Sequence, residues 1–172
     1  PRRSRRTFRL LTREINMPGL EDLYREIILD HYRNPRNQGE LEAPPAHRSE
    51  GFNPLCGDEV VLTFTTDGTT ITDVKISGHG CSISQASASM MSAAVLGKST
   101  AEIREITQTF KAMMSIHEGG MAEEPTENTK LPQIDLSLGD LEALRGVVKF
   151  PVRIKCATLP WNTLLSGLDE VS

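Results

Sequence analysis

Val60-Val61-Leu62-Thr63-Phe64-Thr65, then Asp67-Gly68, then Ile71-Thr72-Asp73-Val74-Lys75-Ile76-Ser77, is the stretch that decides the fold. Val60, Leu62 and Phe64 alternate with Val61, Thr63 and Thr65, and Val74 and Ile76 share one face of the second run. A period of two on both sides of an Asp-Gly pair predicts two antiparallel strands joined by a tight turn. Upstream, residues 34–55 are rich in Pro, Gly, Asn and Arg and read mainly as loop, with a short strand around His47 to Phe52. Downstream, Gly78-His79-Gly80 turns into Cys81, and Ser82 with Gln85 predicts a capping box opening a helix through about Leu96. That helix is full of Ala and Ser, so its neighbours can approach closely.

Further out the period changes to that of helices. Leu20, Leu23, Tyr24, Ile27, Ile28 and His31 recur at three- and four-residue steps and predict an amphipathic helix ending before Asn34-Pro35. A second runs from Thr100 to about Ile116, entered through Ser99 or Thr100, with Ile103, Ile106, Phe110, Met113 and Met114 on one side; the Met pair reads as core filler. Residues 117–137 lose periodicity and read as an acidic surface loop or insertion. Leu138 to Arg145 reads as a short helix, Val147 to Ile154 as an extended approach, and Lys155 to about Leu168 as a last helix. Pro160 fits only near a first turn, which places that helix start close to Cys156.

The chain has 172 residues and 38% hydrophobic content, enough for one core and short for two domains. Residues 1–16 carry six arginines against Glu14 alone, so the formal net charge of −4 leaves −9 for the rest. This basic segment reads as an extension ahead of a start at Met17, disordered or not native, leaving 17–172 as the domain. The acidic body argues against nucleic acid as the main partner, since phosphate contacts need clustered Lys and Arg. No apolar run reaches the roughly 18 residues of a membrane span, and three cysteines cannot form a full disulfide framework. Reduced thiols in a cytoplasm are the expectation.

The three cysteines fall at edges of predicted elements. Cys56 lies in a Pro-Leu-Cys-Gly-Asp loop before the hairpin, and Cys81 and Cys156 lie at helix starts. Spacing alone leaves two readings open, because no CxxC pair is present and unpaired cysteine is often simply buried. Against that, Gly57 and Gly80 give ligand loops room to bend, and Asp58 follows Cys56 by two residues. Three thiolates and a carboxylate make a donor set that tetrahedral zinc accepts, whereas an iron–sulfur cluster prefers thiolates in a dry pocket. A closed four-ligand site is ordinarily structural. A zinc-bound thiolate can nevertheless become a nucleophile if another ligand replaces it, and Cys56, on the most flexible segment, is the candidate.

At three places the chain resembles the NifU N-terminal/IscU/SufU family: Asn53-Pro54-Leu55-Cys56-Gly57-Asp58, Gly78-His79-Gly80-Cys81-Ser82-Ile83-Ser84-Gln85 with the Ala86 to Met91 run, and Arg153-Ile154-Lys155-Cys156-Ala157-Thr158-Leu159. The likeness runs in one order from Leu20 to Gly167. Scaffolds of the IscU type carry histidine immediately before the last cysteine; here that position is Lys155. The acidic segment resembles an insertion that distinguishes SufU proteins. The resemblance thus implies the SufU branch, with zinc on Cys56, Asp58, Cys81 and Cys156, and Cys56 as acceptor of sulfur from a pyridoxal-phosphate-dependent, SufS-like cysteine desulfurase. It implies catalysis as a zinc-dependent sulfurtransferase, with a downstream cluster scaffold as a further partner. Two other readings stand beside it: a scaffold for a transient 2Fe–2S cluster, and a non-catalytic zinc adaptor.

The expected fold is α+β, a small, mostly antiparallel three-stranded sheet covered by helices, with the metal site at one exposed end. Lys155 and Arg153 are weighed as charges that steady a persulfide or as solvated side chains. His79 is weighed as a hydrogen-bond partner of a ligand sulfur or a simply exposed residue. His31, His47 and His117 have no motif support. Trp161 is expected to pack the last helix on the sheet, or to join a partner surface through partial exposure beside Cys156.

Overall fold

The computed structural model describes residues 18–115 and 136–171. The basic extension, His117 and the acidic segment up to Asp135 lie outside the described residues. The order is α1 (Pro18–Arg33), β1 (His47–Asn53), β2 (Asp58–Thr66), β3 (Ile71–His79), α2 (Ser82–Val95), α3 (Thr100–Ser115), a 3-10 helix (Leu136–Lys149) and α4 (Pro151–Glu170). The fold is α+β, as expected.

The strands form one antiparallel sheet in the order β1-β2-β3. Asn53 faces Asp58 at one end of β2 and Thr66 faces Ile71 at the other, so the two connections lie at opposite ends of the sheet. Alternation predicts one dry face for the central strand, but Val60 to Phe64 are all buried. The second face is partly covered by the loop after α1, where Leu41 N donates to Thr63 Oγ1 at 2.8 Å and Ile76 exchanges backbone hydrogen bonds with Asn37 and Gly39 at 2.9 Å. A loop read as connection is thus also cover.

α4 lies against β1 and β2. A Cβ on Gly51 would collide with Thr163 Oγ1, and one on Gly167 would stand 3.0 Å from both Phe64 and Ser49, so glycine permits the close approach. α2 is buried from Ala86 through Ser92. Its serines keep their hydroxyls satisfied at that depth: Ser87 donates to the Ala157 carbonyl at 2.6 Å, and Ser89 Oγ lies 2.8 Å from His31 Nδ1. His31 itself is buried and reaches Asp140 through Nε2 at 3.0 Å, which ties α1 to α2 and to the 3-10 helix. Met113 and Met114 are core, as read.

Three local expectations are corrected. The cap of α2 is Cys81, whose Sγ accepts from Ser84 N at 3.5 Å; Ser82 is already helical and Gln85 N donates to the Cys81 carbonyl at 3.1 Å, so the helix is not entered through a Ser82–Gln85 box. A real box stands at the next helix, where Ser99 N donates to Glu102 Oε2 at 2.8 Å and Glu102 N to Ser99 Oγ at 3.3 Å. Second, Val147 to Ile154 is not extended. The 3-10 helix runs to Lys149, and α4 starts at Pro151, leaving Pro160 inside it. Pro151 supplies the first-turn proline that Pro160 suggested, while Pro160 removes only the N–H that would have met the Cys156 carbonyl. Third, of the two readings of Trp161 the packed one holds and the partner surface does not: the ring is fully buried and stacks on Phe110 of α3, ring centroids 5.0 Å apart.

Candidate metal centre

The β1–β2 connection is four residues, Pro54 to Gly57, closed by the Asn53–Asp58 pair. The Asn53 carbonyl accepts from Cys56 N at 3.3 Å and Gly57 N at 2.8 Å, and Gly57 takes φ +69°, which a side chain would resist. This turn leaves Cys56 exposed at its tip. Asp58, the first residue of β2, points inward and is fully buried.

Cys81 arrives at the start of α2 beside Asp58. Its backbone N donates to Asp58 Oδ1 at 2.7 Å, and its Sγ lies 3.8 Å from Asp58 Oδ2. Gly80 makes this approach possible, since a Cβ there would stand 2.5 Å from Asp58 Oδ1 and 2.7 Å from Ser84 Oγ. Cys156, in the second turn of α4, is fully buried, and its Sγ lies 3.4 Å from Cys56 Sγ. Ligand atoms of Cys56, Asp58 and Cys156 lie within 4.8 Å of one another. Cys81 falls outside that mutual set and reaches it through Asp58.

These residues fit a zinc ion on their own chemistry. Zinc–sulfur bonds of about 2.3 Å in a tetrahedron put sulfurs about 3.8 Å apart, near the 3.4 Å between Cys56 and Cys156. Asp58 is a buried carboxylate with no ion pair to a basic residue among the described residues, a placement that calls for a cation. Burial, then hydrogen bonding with Asp58 and Cys56, pushes the Cys156 thiol well above its ordinary range. A metal would take the place of that proton.

The other residues singled out divide sharply. Arg153, three before Cys156 on α4 and exposed, has its guanidinium pushed above its ordinary value by a hydrogen bond to Cys156 and by the closeness of the three sulfurs, so it belongs to the rim of the centre. Lys155 is exposed and lines a cleft with Asn53 and Leu55 on the outer side of the loop. His79 is exposed and lies 3.9 Å from Glu59 Oε2. Asn53 opens the Asn-Pro-Leu-Cys-Gly-Asp motif. It is buried, with Oδ1 accepting from Leu55 N at 3.2 Å and Nδ2 donating to Cys156 Sγ at 3.7 Å. No sequence signal marked that contact, because it joins residues 103 apart.

A family model described as the NifU-like N terminal domain matches residues 23–157. The chain is 44% identical over 152 residues to the zinc-dependent sulfurtransferase SufU of Bacillus subtilis strain 168, covering 88% of this chain and 93% of that one. It is 39% identical to the iron–sulfur cluster assembly scaffold protein IscU of Streptococcus pyogenes serotype M1, covering 88% and 86%. Among solved structures, a protein of Fervidobacterium islandicum AW-1 assigned as a cluster assembly scaffold for the SUF system superposes with a TM-score of 0.68 at 37% identity, covering 83% and 94%. Matched across most of its length in sequence and in fold, the chain belongs to the NifU N-terminal/IscU/SufU family as a SufU-type member.

Proposed function

We propose that this chain is a zinc-dependent sulfurtransferase of iron–sulfur cluster assembly, in which Cys56, Asp58, Cys81 and Cys156 hold one zinc and Cys56 accepts sulfur from a pyridoxal-phosphate-dependent cysteine desulfurase. The observation that carries it is the unequal exposure of three thiols at one centre: Cys156 buried, Cys81 partly covered, Cys56 exposed on a four-residue turn. A purely structural site has no need of an exposed ligand. When bound, the zinc keeps the cysteines as thiolates at neutral pH.

In the transfer, Cys56 Sγ attacks the outer sulfur of the donor persulfide. The donor's S–S bond breaks, its cysteine leaves as thiolate, and the new S–S bond stands on Cys56 with the charge conserved. Cys156 and Asp58, both buried, keep the rest of the centre in place while Cys56 reacts, and Arg153 supplies positive charge at the rim where anionic sulfur arrives. The 44% likeness to a zinc-dependent sulfurtransferase and the lysine ahead of the last cysteine both support this reading. Among the described residues no helix is long and apolar enough to cross a membrane; a cytoplasmic setting and a downstream cluster scaffold as recipient belong to the same reading.

The purified protein should hold about one zinc and raise sulfide release by a SufS-like desulfurase given cysteine, and Cys56→Ala should abolish the stimulation. Full stimulation by Cys56→Ala, or none by the wild type, would sink the proposal. The IscU relatives favour a second reading, a scaffold for a transient 2Fe–2S cluster. Anaerobic reconstitution with iron and sulfide separates the two, since a scaffold develops visible absorption and passes the cluster to an apo-ferredoxin. An adaptor that only needs zinc to fold would melt on chelation and keep Cys56 resistant to alkylation even with the desulfurase bound.

A further inference from the structure

Asn53 is where the two most dissimilar sulfurs of the centre meet. It is the last residue of β1, paired across the ladder with Asp58, and only 6% exposed. Its carbonyl anchors the turn that carries Cys56, while its side-chain amide donates to the sulfur of Cys156. The amide orientation is fixed by its other end: Oδ1 accepts from Leu55 N, and a flipped amide would set an oxygen against the sulfur and an NH2 against an N–H. Cys56 lies 3.4 Å from Cys156 but receives no side-chain N–H among the described residues.

We propose that Asn53 is the positioning residue that decides which sulfur stays on the metal and which reacts, an inference resting on the metal reading above. A donated N–H draws electron density from a thiolate, so a hydrogen-bonded sulfur remains a ligand but becomes a poorer nucleophile. Cys156 is quieted in this way and Cys56 is not. Arg153 acts on the same sulfur from the exposed rim; the Asn53 amide is the buried donor, and Asn53 alone also holds the turn that carries Cys56. The same residue therefore sets the turn that exposes one sulfur and damps the other.

The test compares cobalt-loaded wild-type protein with Asn53→Asp and Asn53→Ala. Aspartate keeps an oxygen for Leu55 N but cannot donate to Cys156; alanine loses both contacts. Circular dichroism and metal analysis establish fold and loading. In both variants the sulfur-to-cobalt charge-transfer band should move to lower energy. With limiting iodoacetamide and peptide mapping, the share of alkylation at Cys156 relative to Cys56 should rise at least about threefold, the low end of what one net hydrogen bond contributes. If only one variant loads, that one decides. Variants that load with band and share unchanged overturn the role of Asn53 alone. Loss of folding or loading in both also overturns it, by making Asn53 a requirement of the site and not a selector. A wild type that takes up no cobalt removes the metal reading itself and this one with it.

Discussion

The two connections of the sheet make opposite use of the same device. At the far end, Asp67 closes the β2–β3 turn from within: its Oδ1 accepts from Thr69 N at 3.0 Å, Thr70 N at 2.8 Å and Thr69 Oγ1 at 3.1 Å. The bend itself is closed within four residues as an Asx-type turn, and its outer carbonyl and the strand after it meet the entrance of α3, where Thr100 N donates to the Thr69 carbonyl at 2.9 Å and Ile71 N to the Lys98 carbonyl at 3.0 Å. At the near end, the Pro54 to Gly57 turn is held by Asn53, and its tip residue looks outward to Cys156, 100 positions away. One turn is closed by its own carboxylate and meets only the neighbouring start of α3. The other is completed by groups from α2 and α4, which makes it a site, and makes its integrity depend on how those helices sit.

The sharpest way to break that contrast is to move α4 away from β1. Gly51→Val would drive a side chain into Thr163 Oγ1 and toward Leu159 Cδ1, where Thr163 already donates to the Leu159 carbonyl at 2.8 Å. Overpacking of this kind costs about 1–3 kcal/mol, read as a lower urea midpoint. Because β1 carries Asn53 and α4 carries Cys156, zinc affinity measured against a chelator should fall with it. Unchanged zinc affinity in a destabilised Gly51→Val protein would show that the near turn keeps its shape without α4.

Gly80→Ala acts on the same end with a smaller reach. The new methyl would stand 2.5 Å from Asp58 Oδ1, so Asp58 must give up its 2.7 Å bond from Cys81 N or shift as a ligand. Disturbing the groups that orient ligands typically costs about 10–100-fold in metal affinity, and chelator competition should show a loss of that order. The sheet itself should survive, with circular dichroism unchanged.

The same contrast explains what could be read from the residues. The hairpin was legible because period-two alternation and Asp67-Gly68 act over a few positions. The four candidate ligand residues drew notice because each sits in a short motif; the structure gathers Cys56, Asp58 and Cys156, and nothing in the chain said that Cys81 would reach them through Asp58. What failed depended on competition between distant or equivalent groups. Pro160 looked like a helix start because proline in a helix interior removes a hydrogen bond, but Pro151 was the better first-turn proline, and packing of Trp161 on Phe110 carries the helix past Pro160. Ser82 looked like the cap by type; Cys81 took the position because its backbone N is already bound to Asp58. Burial of Thr63 came from Leu41, in a stretch that composition marks only as loop.

The far turn supplies the smallest effect and the control for the others. Backbone N–H bonds from Thr69 and Thr70 hold the Asp67 carboxyl below its ordinary value of 3.8. A carboxyl whose pKa is lower folded than unfolded stabilises the fold above the unfolded value and loses that contribution as pH falls through the folded one. Asp67→Ala should therefore lower the melting temperature slightly at neutral pH, and the gap from wild type should close as pH drops below about 4. Zinc content should not move at neutral pH, because nothing in this turn reaches the centre at the other end of β2. If Asp67→Ala does lose zinc there, strain at one end of β2 passes along the strand to Asp58, and the two turns are coupled through the sheet instead of being separate.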